Sequence, residues 1–564
     1  MPETATTKSR WRDLSRDLLV CLLAVCLVTG FVLAVQMAAT RAVVRETDPL
    51  NQVALTHLKQ AAARHVQDDQ LKEAFREIDE RARDGFYRAR GRQRRGAMLL
   101  GGIGLTALLS MHLLARLLRA PPRPGQTAAE ADPLGAMVRR GTIGAALTAG
   151  VFVVVMAQRH GEAVPAPAEG TAAAGQAFDA EPTQWPGFRG AGGDGRTASP
   201  AVTDWDGPSG RGVLWKRPLP RGGFSSAIVW NDHVYLTGGD AVARELYCLD
   251  AADGRMLWTV AATDVVGSPA VLPEVSPDTG FAAATPVTDG QRVMAIFATG
   301  DVLAVDRDGQ RLWARNLGVP DNPYGHASSL RLHAGRLLVQ YDHFASARFL
   351  ALDAGTGATV WEQSREVHAS WATPLLVRLE SRVAAVLNAE PLAEAFDAET
   401  GERLWSCQCM GGEVAPSPAY DQGLAFVTTD YVTLAAIRMA GDQPGSIAWQ
   451  NDEELPDVCT PLAIHGLLIV ANGAGIISCY RSTTGELLWR QETDEGYYSS
   501  PVAAGDLVYL TDRKGRTRIF KAAPTFTPVA ECALGEEVVS TPAIVRGRLY
   551  LRGVQNLYCL GNPP

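Results

Sequence analysis

Leu249-Asp250-Ala251-Ala252-Asp253-Gly254, with Trp258 close behind, decides the fold because the chain keeps returning to it. Asp306-Arg307-Asp308-Gly309 precedes Trp313, Leu352-Asp353-Ala354-Gly355-Thr356-Gly357 precedes Trp361, Asp397-Ala398-Glu399-Thr400-Gly401 precedes Trp405, and Ser482-Thr483-Thr484-Gly485 precedes Trp489. A degraded copy runs from Arg438 to Trp449, with Gly445 ahead of Ile447. Each copy reads as a hairpin. Asp or Ser bonds the turn backbone, Gly takes the φ > 0 position, and a Trp follows on the next strand. Two strand-like segments precede each turn and one follows, at a period of about 40–50 residues, which predicts a β-propeller.

Apolar segments that open on Ser or Thr mark the expected blade starts: Ser225-Ser226, Ser268-Pro269, Ser328-Ser329, Thr373-Pro374, Ser417-Pro418, Thr460-Pro461, Ser500-Pro501 and Thr541-Pro542. That gives an all-β propeller of eight four-stranded blades. The seventh blade has Ile519-Phe520-Lys521-Ala522 in place of the Trp phrase, and the eighth ends at Tyr558-Cys559-Leu560. A lone segment, Gly212-Val213-Leu214-Trp215-Lys216, precedes the first start and is similar to the Trp-bearing strand of the other blades. It is expected to complete blade eight, closing the ring and leaving few open strand edges.

The N-terminal third has a different character. Apolar runs near 18–39, 96–114 and 141–157 have the length or composition of membrane spans. The first has no small-residue cleavage site followed by a mature domain, and two more runs come after it, so a cleaved signal peptide explains it poorly. The expectation is an α-helical three-pass anchor over 18–158, after a basic cytoplasmic tail at 1–17. A helical loop spans 40–95, where Leu71, Phe75, Ile78 and Ala82 recur at helical spacing before an Arg-rich run. Loop charge alone is nearly balanced between the two orientations. The stretch after Arg159 lacks Lys and Arg until Arg189, which favours export of the C-terminal domain. A flexible, Ala/Pro/Gly-rich linker is expected over 159–184 and the propeller over 185–564. The location implied is a bacterial inner membrane, with the propeller facing the periplasm or outside.

The net charge of −8 argues against nucleic acid as a partner. The phrase Tyr247-Cys248-Leu249-Asp250 to Gly254 and Trp258, repeated as above, resembles the PQQ-type propeller repeat over roughly residues 185–564. Within it, Trp185-Pro186-Gly187-Phe188-Arg189-Gly190 with Asp194-Gly195, Glu413-Val414-Ala415-Pro416-Ser417-Pro418 and Leu455-Pro456-Asp457-Val458 are similar to a group of bacterial membrane-linked PQQ-like repeat proteins. The resemblance implies that Trp215, Trp258, Trp313, Trp361, Trp405, Trp449 and Trp489 dock each blade on its neighbour. It also brings PQQ and calcium into view as cofactors. The superfamily holds calcium-dependent quinoprotein dehydrogenases and also non-catalytic scaffolds, among them the lipoprotein propeller of the outer-membrane β-barrel assembly machine. This chain departs from the dehydrogenases. It has no adjacent Cys-Cys pair (Cys407-Gln408-Cys409 is the nearest), no Cys-x-x-Cys-His haem attachment, and no clear Glu…Asn…Asp calcium set.

No catalytic group and no metal site stands out. His326, His333, His343 and His368 lack metal-ligand spacing. Cys248, Cys479 and Cys559 share one repeat position and read as small buried strand residues, while a disulfide among Cys407, Cys409 and Cys459 is allowed in an oxidising compartment. The polar and aromatic residues beside the blade starts and second-strand ends are the more interesting set. His326, Gln340, Asp342, Trp371, Glu413, Asp430, Asp457, Tyr497, Tyr498, Arg513 and Lys514 are the expected ligand-binding funnel at the channel mouth. The alternative is that these residues satisfy turn backbones and pack between blades. The functional expectation is a membrane-anchored extracytoplasmic propeller that binds a ligand or scaffolds an envelope complex, more plausibly non-enzymatic. A membrane-tethered PQQ-dependent dehydrogenase of alcohols or sugars is the alternative.

Overall fold

A computed structural model describes residues 183–562 apart from Pro323, together with Cys26 and Thr29. Apart from Cys26 and Thr29, the expected spans and the 40–95 loop lie outside the described residues. Among the described residues no helix is long and apolar enough to cross a membrane. The chain divides into two compact units, Met1–Pro165 and Ala166–Pro564; the fold below is that of the second.

Its described strands form eight sheets, each built on four antiparallel strands that are consecutive in sequence in all but the last. Blades 1–7 span 228–261, 287–316, 331–365, 375–408, 419–451, 462–492 and 502–533. Blade 8 takes three strands from 543–561, and its outermost strand, Val213–Pro218, comes from the other end of the domain and pairs with Asn556–Gly561. Sequence-distant strands thus close the ring, as the lone Trp215 segment suggested.

A closed circle of hydrogen bonds counts the blades independently. The backbone N–H of each blade start donates to the hydroxyl of the next, through Ser226, Thr285, Ser329, Thr373, Ser417, Thr460, Ser500 and Thr541 and back to Ser226, each at 2.9–3.0 Å. One expected start is corrected by this circle. Blade 2 begins at Thr285-Pro286, and Ser268-Pro269 belongs to the long connection, 262–286, that leads to it.

The inner strands are covered on both faces by neighbouring blades, so they read as continuous apolar runs; Leu467–Ala471 is buried throughout. Leu375, Val386 and Ala395 of blade 4, for instance, share one core cluster with Tyr420, Ala425 and Ile437 of blade 5. Outer strands are covered on one side only and alternate, as in Arg403–Gln408.

The repeated phrase has a steric explanation. Each Trp on an outer strand pairs with a small residue on the strand before it: Cys248 with Trp258, Ala304 with Trp313, Ala351 with Trp361, Cys479 with Trp489, and Cys559 with Trp215. In blade 7, which lacks the Trp, the sizes reverse and Ile519 pairs with Ala530. Six indoles donate to a turn carbonyl of the next blade: Trp215 to Ala251, Trp258 to Arg307, Trp313 to Ala354, Trp361 to Glu399, Trp449 to Ser482 and Trp489 to Ala523. Trp405 faces the degraded turn, and its buried Nε1 has no partner. The turn glycine is doubly required. Gly401 has φ 75°, and a Cβ there would stand 2.7 Å from the Trp361 ring.

Candidate functional site

Strand alternation gives the ring two unlike ends. Turns between first and second strands and between third and fourth strands lie at one end. Connections between blades and turns between second and third strands lie at the other.

The first end is crossed by the segment that opens the domain. β1 (Gln184–Trp185) pairs with the inner strand of blade 1, and β2 (Arg196–Thr197) runs parallel to the inner strand of blade 7. Between them, the Pro186 carbonyl accepts from Thr288 of blade 2 and the Gly192 carbonyl from Leu376 of blade 4. Arg189 is 1% exposed and is held entirely by carbonyls, including Thr460 at 3.2 Å, Pro461 at 2.9 Å and Pro501 at 2.8 Å of blades 6 and 7. Arg331 of blade 3 reaches back to Phe188 at 2.6 Å and to Pro374 at 2.7 Å. Burial lowers Arg189 to about 10 and Arg331 to about 9. The segment plugs the channel from this end. A cleft of about 290 Å³ remains beside it, lined by Gln184, Pro186, Trp230, Thr288 and Arg331 among others.

The sequence offered one local sign of this plug. Gly193 and Gly195 both take positive φ, and a Cβ at either would collide with the guanidinium of Arg331 or Arg189. Arg189, Arg331 and Arg552 were not among the expected site residues. Arg552 is buried between blades 8 and 1, donating to Ser225 at 2.9 Å and to Thr237 at 2.6 Å.

The expected funnel residues fall into separate groups at the other end. Tyr324 donates to Glu413 at 2.9 Å and meets the Trp371 ring edge-on at 5.2 Å; the Trp371 indole donates to Gly325 at 2.9 Å. These contacts lace together the starts of blades 3, 4 and 5. Elsewhere on the rim the Arg513 guanidinium lies over the Tyr498 ring, Lys514 pairs with Glu495, and Asp457 accepts from the Gly473 backbone at 2.9 Å. Asp430 is half-buried in the turn after Thr429.

Gln340, Asp342, Tyr497 and His326 are instead buried in the wall. Asp342 pairs with Arg365 and accepts from Gln340 at 2.8 Å; Arg365 also donates to Glu394 at 2.9 Å, which accepts from Arg403 at 3.2 Å. Burial pushes the Asp342 carboxyl up against the pull of Arg365. Tyr497 donates to Thr493 at 3.0 Å and accepts from Arg518 at 2.9 Å, which is paired with Asp512. His326 packs on Tyr341, and burial lowers its imidazole to about 4. The His326 Nε2, Gln340 Oε1 and Asp342 Oδ1 atoms have no hydrogen-bond partner.

The described cysteines are free thiols. Cys459 donates to Tyr497 at 3.1 Å, while Cys407 and Cys409 hydrogen-bond to each other, which lowers Cys407 and raises Cys409. Among the described residues no three His, Cys, Asp or Glu side chains converge to hold an ion. Asp342 and Glu394 are committed to Arg365, and Asp512 to Arg516 and Arg518. The residues present do not fit a calcium–quinone pair.

Eight four-stranded blades, ring closure by a sequence-distant strand and an indole docked on each intact turn define a PQQ-like β-propeller. The family model described as "Outer membrane protein assembly factor BamB" matches residues 166–349, 345–463 and 440–524, and the chain belongs to that PQQ-like repeat family. The BamB protein of Salmonella typhimurium is 23% identical over 283 residues, 47% of this chain and 70% of that protein. The BamB of Moranella endobia is 21% identical over 278 residues, 46% and 69% respectively. Among solved structures, BamB from Moraxella catarrhalis matches with a TM-score of 0.47 at 16% identity, covering 62% of this chain and 97% of that one. A europium-containing methanol dehydrogenase matches with a TM-score of 0.45 at 12% identity, covering 68% and 98%. At such values neither structural likeness separates a scaffold from a dehydrogenase.

Proposed function

We propose that the protein is a membrane-anchored, extracytoplasmic PQQ-like propeller that binds or scaffolds components of a cell-envelope protein complex. The observation that carries this reading is the state of the channel. One end is plugged by 184–197, and the wall carboxylates are neutralised by arginines, so the ring offers binding surface rather than a reaction centre. The relatives named as outer membrane protein assembly factors support an envelope role. The apolar runs near 18–39, 96–114 and 141–157 support a three-pass inner-membrane anchor, with 159–184 as tether and 185–564 displayed outside the cytoplasm.

The test has two arms. Photo-crosslinking from propeller surface positions of the full-length chain in cells is expected to capture a defined set of envelope proteins. Titration of the purified chain with PQQ and Ca²⁺, coupled to dye reduction by alcohols and sugars, is expected to give no turnover. Saturable binding with turnover would overturn the scaffold reading in favour of a quinoprotein dehydrogenase.

A further inference from the structure

The exposed large apolar side chains are unevenly distributed. At the open end Val266 is 90% and Val271 84% exposed, both in the 262–286 connection, and Val319 of the 317–330 connection and Phe344 of a blade 3 turn are exposed as well. None stands in the described turns of the plugged end. Those outside the open end, such as Leu312, Val360 and Leu487, lie one or two residues ahead of the docking Trp on outer strands.

Val242, Val432, Val458 and Val554 are exposed singly on open-end loops of blades 1, 5, 6 and 8, whereas these four fall on the loops that lead into and belong to blades 2 and 3, the elaborated sector. Connections such as 366–374, 493–501 and 534–542 are short, whereas 262–286 and 317–330 are extended. The blade-start circle closes at Thr285, so the extra residues of the first connection are not needed to complete a blade. The two connections interlock: Ser276 donates to the Tyr324 carbonyl at 3.1 Å, Gly280 caps the Ser276 turn, and Phe344 donates to Asp321 at 3.0 Å. Isolated exposed aliphatics are ordinary, but several gathered on added, mutually braced loops mark an interaction surface.

Charge selects the occupant. The connections 262–286, 317–330 and 366–374 and the turn at 344–345 contain no Lys or Arg. They carry Asp264, Glu274, Asp278, Asp321 and Glu366, all exposed. A field of one sign steers a partner of the opposite sign and rejects like charge. Resting on the scaffold reading above, we infer that this sector docks a basic polypeptide segment of a partner, one that places aliphatic side chains against Val266, Val271 and Phe344 and Lys or Arg against the surrounding carboxylates. Arg348, which bonds the Leu317 carbonyl, is already paired with Glu362, so the exposed carboxylates disfavour anionic lipid and nucleic acid as occupants.

The experiment uses the full-length chain purified in mild detergent and three labelled synthetic peptides of equal length: Leu/Arg, Leu/Glu and Ser/Arg. Anisotropy titration is expected to show saturable binding of Leu/Arg that weakens at least tenfold on raising salt from low to high, with Ser/Arg weaker and Leu/Glu absent. Asp264→Lys with Glu274→Lys, and separately Val266→Ser with Val271→Ser, are each expected to weaken Leu/Arg binding at least tenfold. Glu399→Lys with Asp442→Lys, on the plugged end, should leave it unchanged. Equal binding of Leu/Glu, no saturable binding, or equal effects of variants at both ends would overturn the inference. Crosslinking from position 271 and position 399 separates this failure from failure of the broader reading. Capture only from 399 leaves a scaffold with a different docking face, and capture from neither removes the scaffold itself.

Discussion

The two ends of the ring are made of the same eight repeats and have diverged in opposite directions. At the plugged end the turns are short and nearly uniform, and their glycines and carbonyls are occupied by the indoles of the preceding blades. At the open end the connections vary in length, the longest two brace each other, and aliphatic side chains face solvent. A propeller can vary its exposed loops freely because its blades are registered by buried contacts, the circle of Ser and Thr hydroxyls at the blade starts and the Trp docking. Stability should therefore concentrate at the plug and the turns, and variable chemistry at the loops.

Arginine removal is the strongest way to break that contrast. Arg189→Met keeps the stem but strips the guanidinium from the Thr460, Pro461 and Pro501 carbonyls, leaving buried acceptors unpaired. The expected loss is about 4 kcal/mol in denaturant unfolding of the full-length chain. Arg513→Met at the open end removes a contact with Tyr498 on a partly solvated rim. That should cost under about 1 kcal/mol. Equal losses would mean that the plug does not hold the ring.

A second effect comes from His326, buried within the long 317–330 connection. Its imidazole titrates at about 4 in the folded chain, against an ordinary value near 6.5. Above pH 6.5 both states hold it neutral and it adds no pH dependence. As pH falls from 6.5 to 4 the unfolded chain takes up a proton that the folded chain refuses, so stability drops by roughly 3 kcal/mol and then levels off. Urea titrations at pH 7, 5.5 and 4.5 should show a shallower decline for His326→Asn than for the parent. Parallel declines would place the imidazole in contact with water.

Turn glycines give a smaller, internal control. Gly401 and Gly441 both have positive φ, at 75° and 92°, but a Cβ at Gly401 meets the Trp361 ring, whereas one at Gly441 meets nothing within 4 Å. Gly441→Ala is expected to cost about 1–2 kcal/mol for backbone strain alone. Gly401→Ala should cost about 2 kcal/mol more, because the indole must shift. Thermal unfolding of the two variants side by side reads the difference.

The repeat, the eight blades and the closing Trp215 strand were legible in the sequence because each depends on a local signal: a turn glycine, a Trp, an apolar run. Blade 2 was mis-started because Ser268-Pro269 imitates a blade start locally, while the true start, Thr285, is distinguished by bonds to Ser226 and Ser329. The plug, whose local sign was the Gly193 and Gly195 pair, went unread for the same reason. Arg189 reads as a loop residue, and its partners on blades 6 and 7 lie about three hundred residues away. The wall residues were placed at the mouth because they stand beside blade starts and second-strand ends, which a propeller carries to its rim. In a ring of blades both faces of an inner strand are covered, so Gln340 and Asp342 must be paired internally.

The finest comparison lies between two successive junctions. Trp361 donates its indole N–H to Glu399 at 2.9 Å across an intact turn, whereas Trp405 faces the degraded turn of blade 5 and its buried N–H has no acceptor. Phe keeps most of the ring and removes the donor. Trp361→Phe should therefore lose one hydrogen bond and leave a turn carbonyl without its donor, about 1 kcal/mol beyond the packing change. Trp405→Phe removes a donor that was already unsatisfied, so the desolvation penalty disappears with it and the net cost should be close to the packing change alone. The expected difference is about 1 kcal/mol, measured as a shift in the urea midpoint at constant slope. A larger loss from Trp405→Phe would mean that blade 5's longer turn swings in to accept that bond in solution, and the junction would then count with the intact ones.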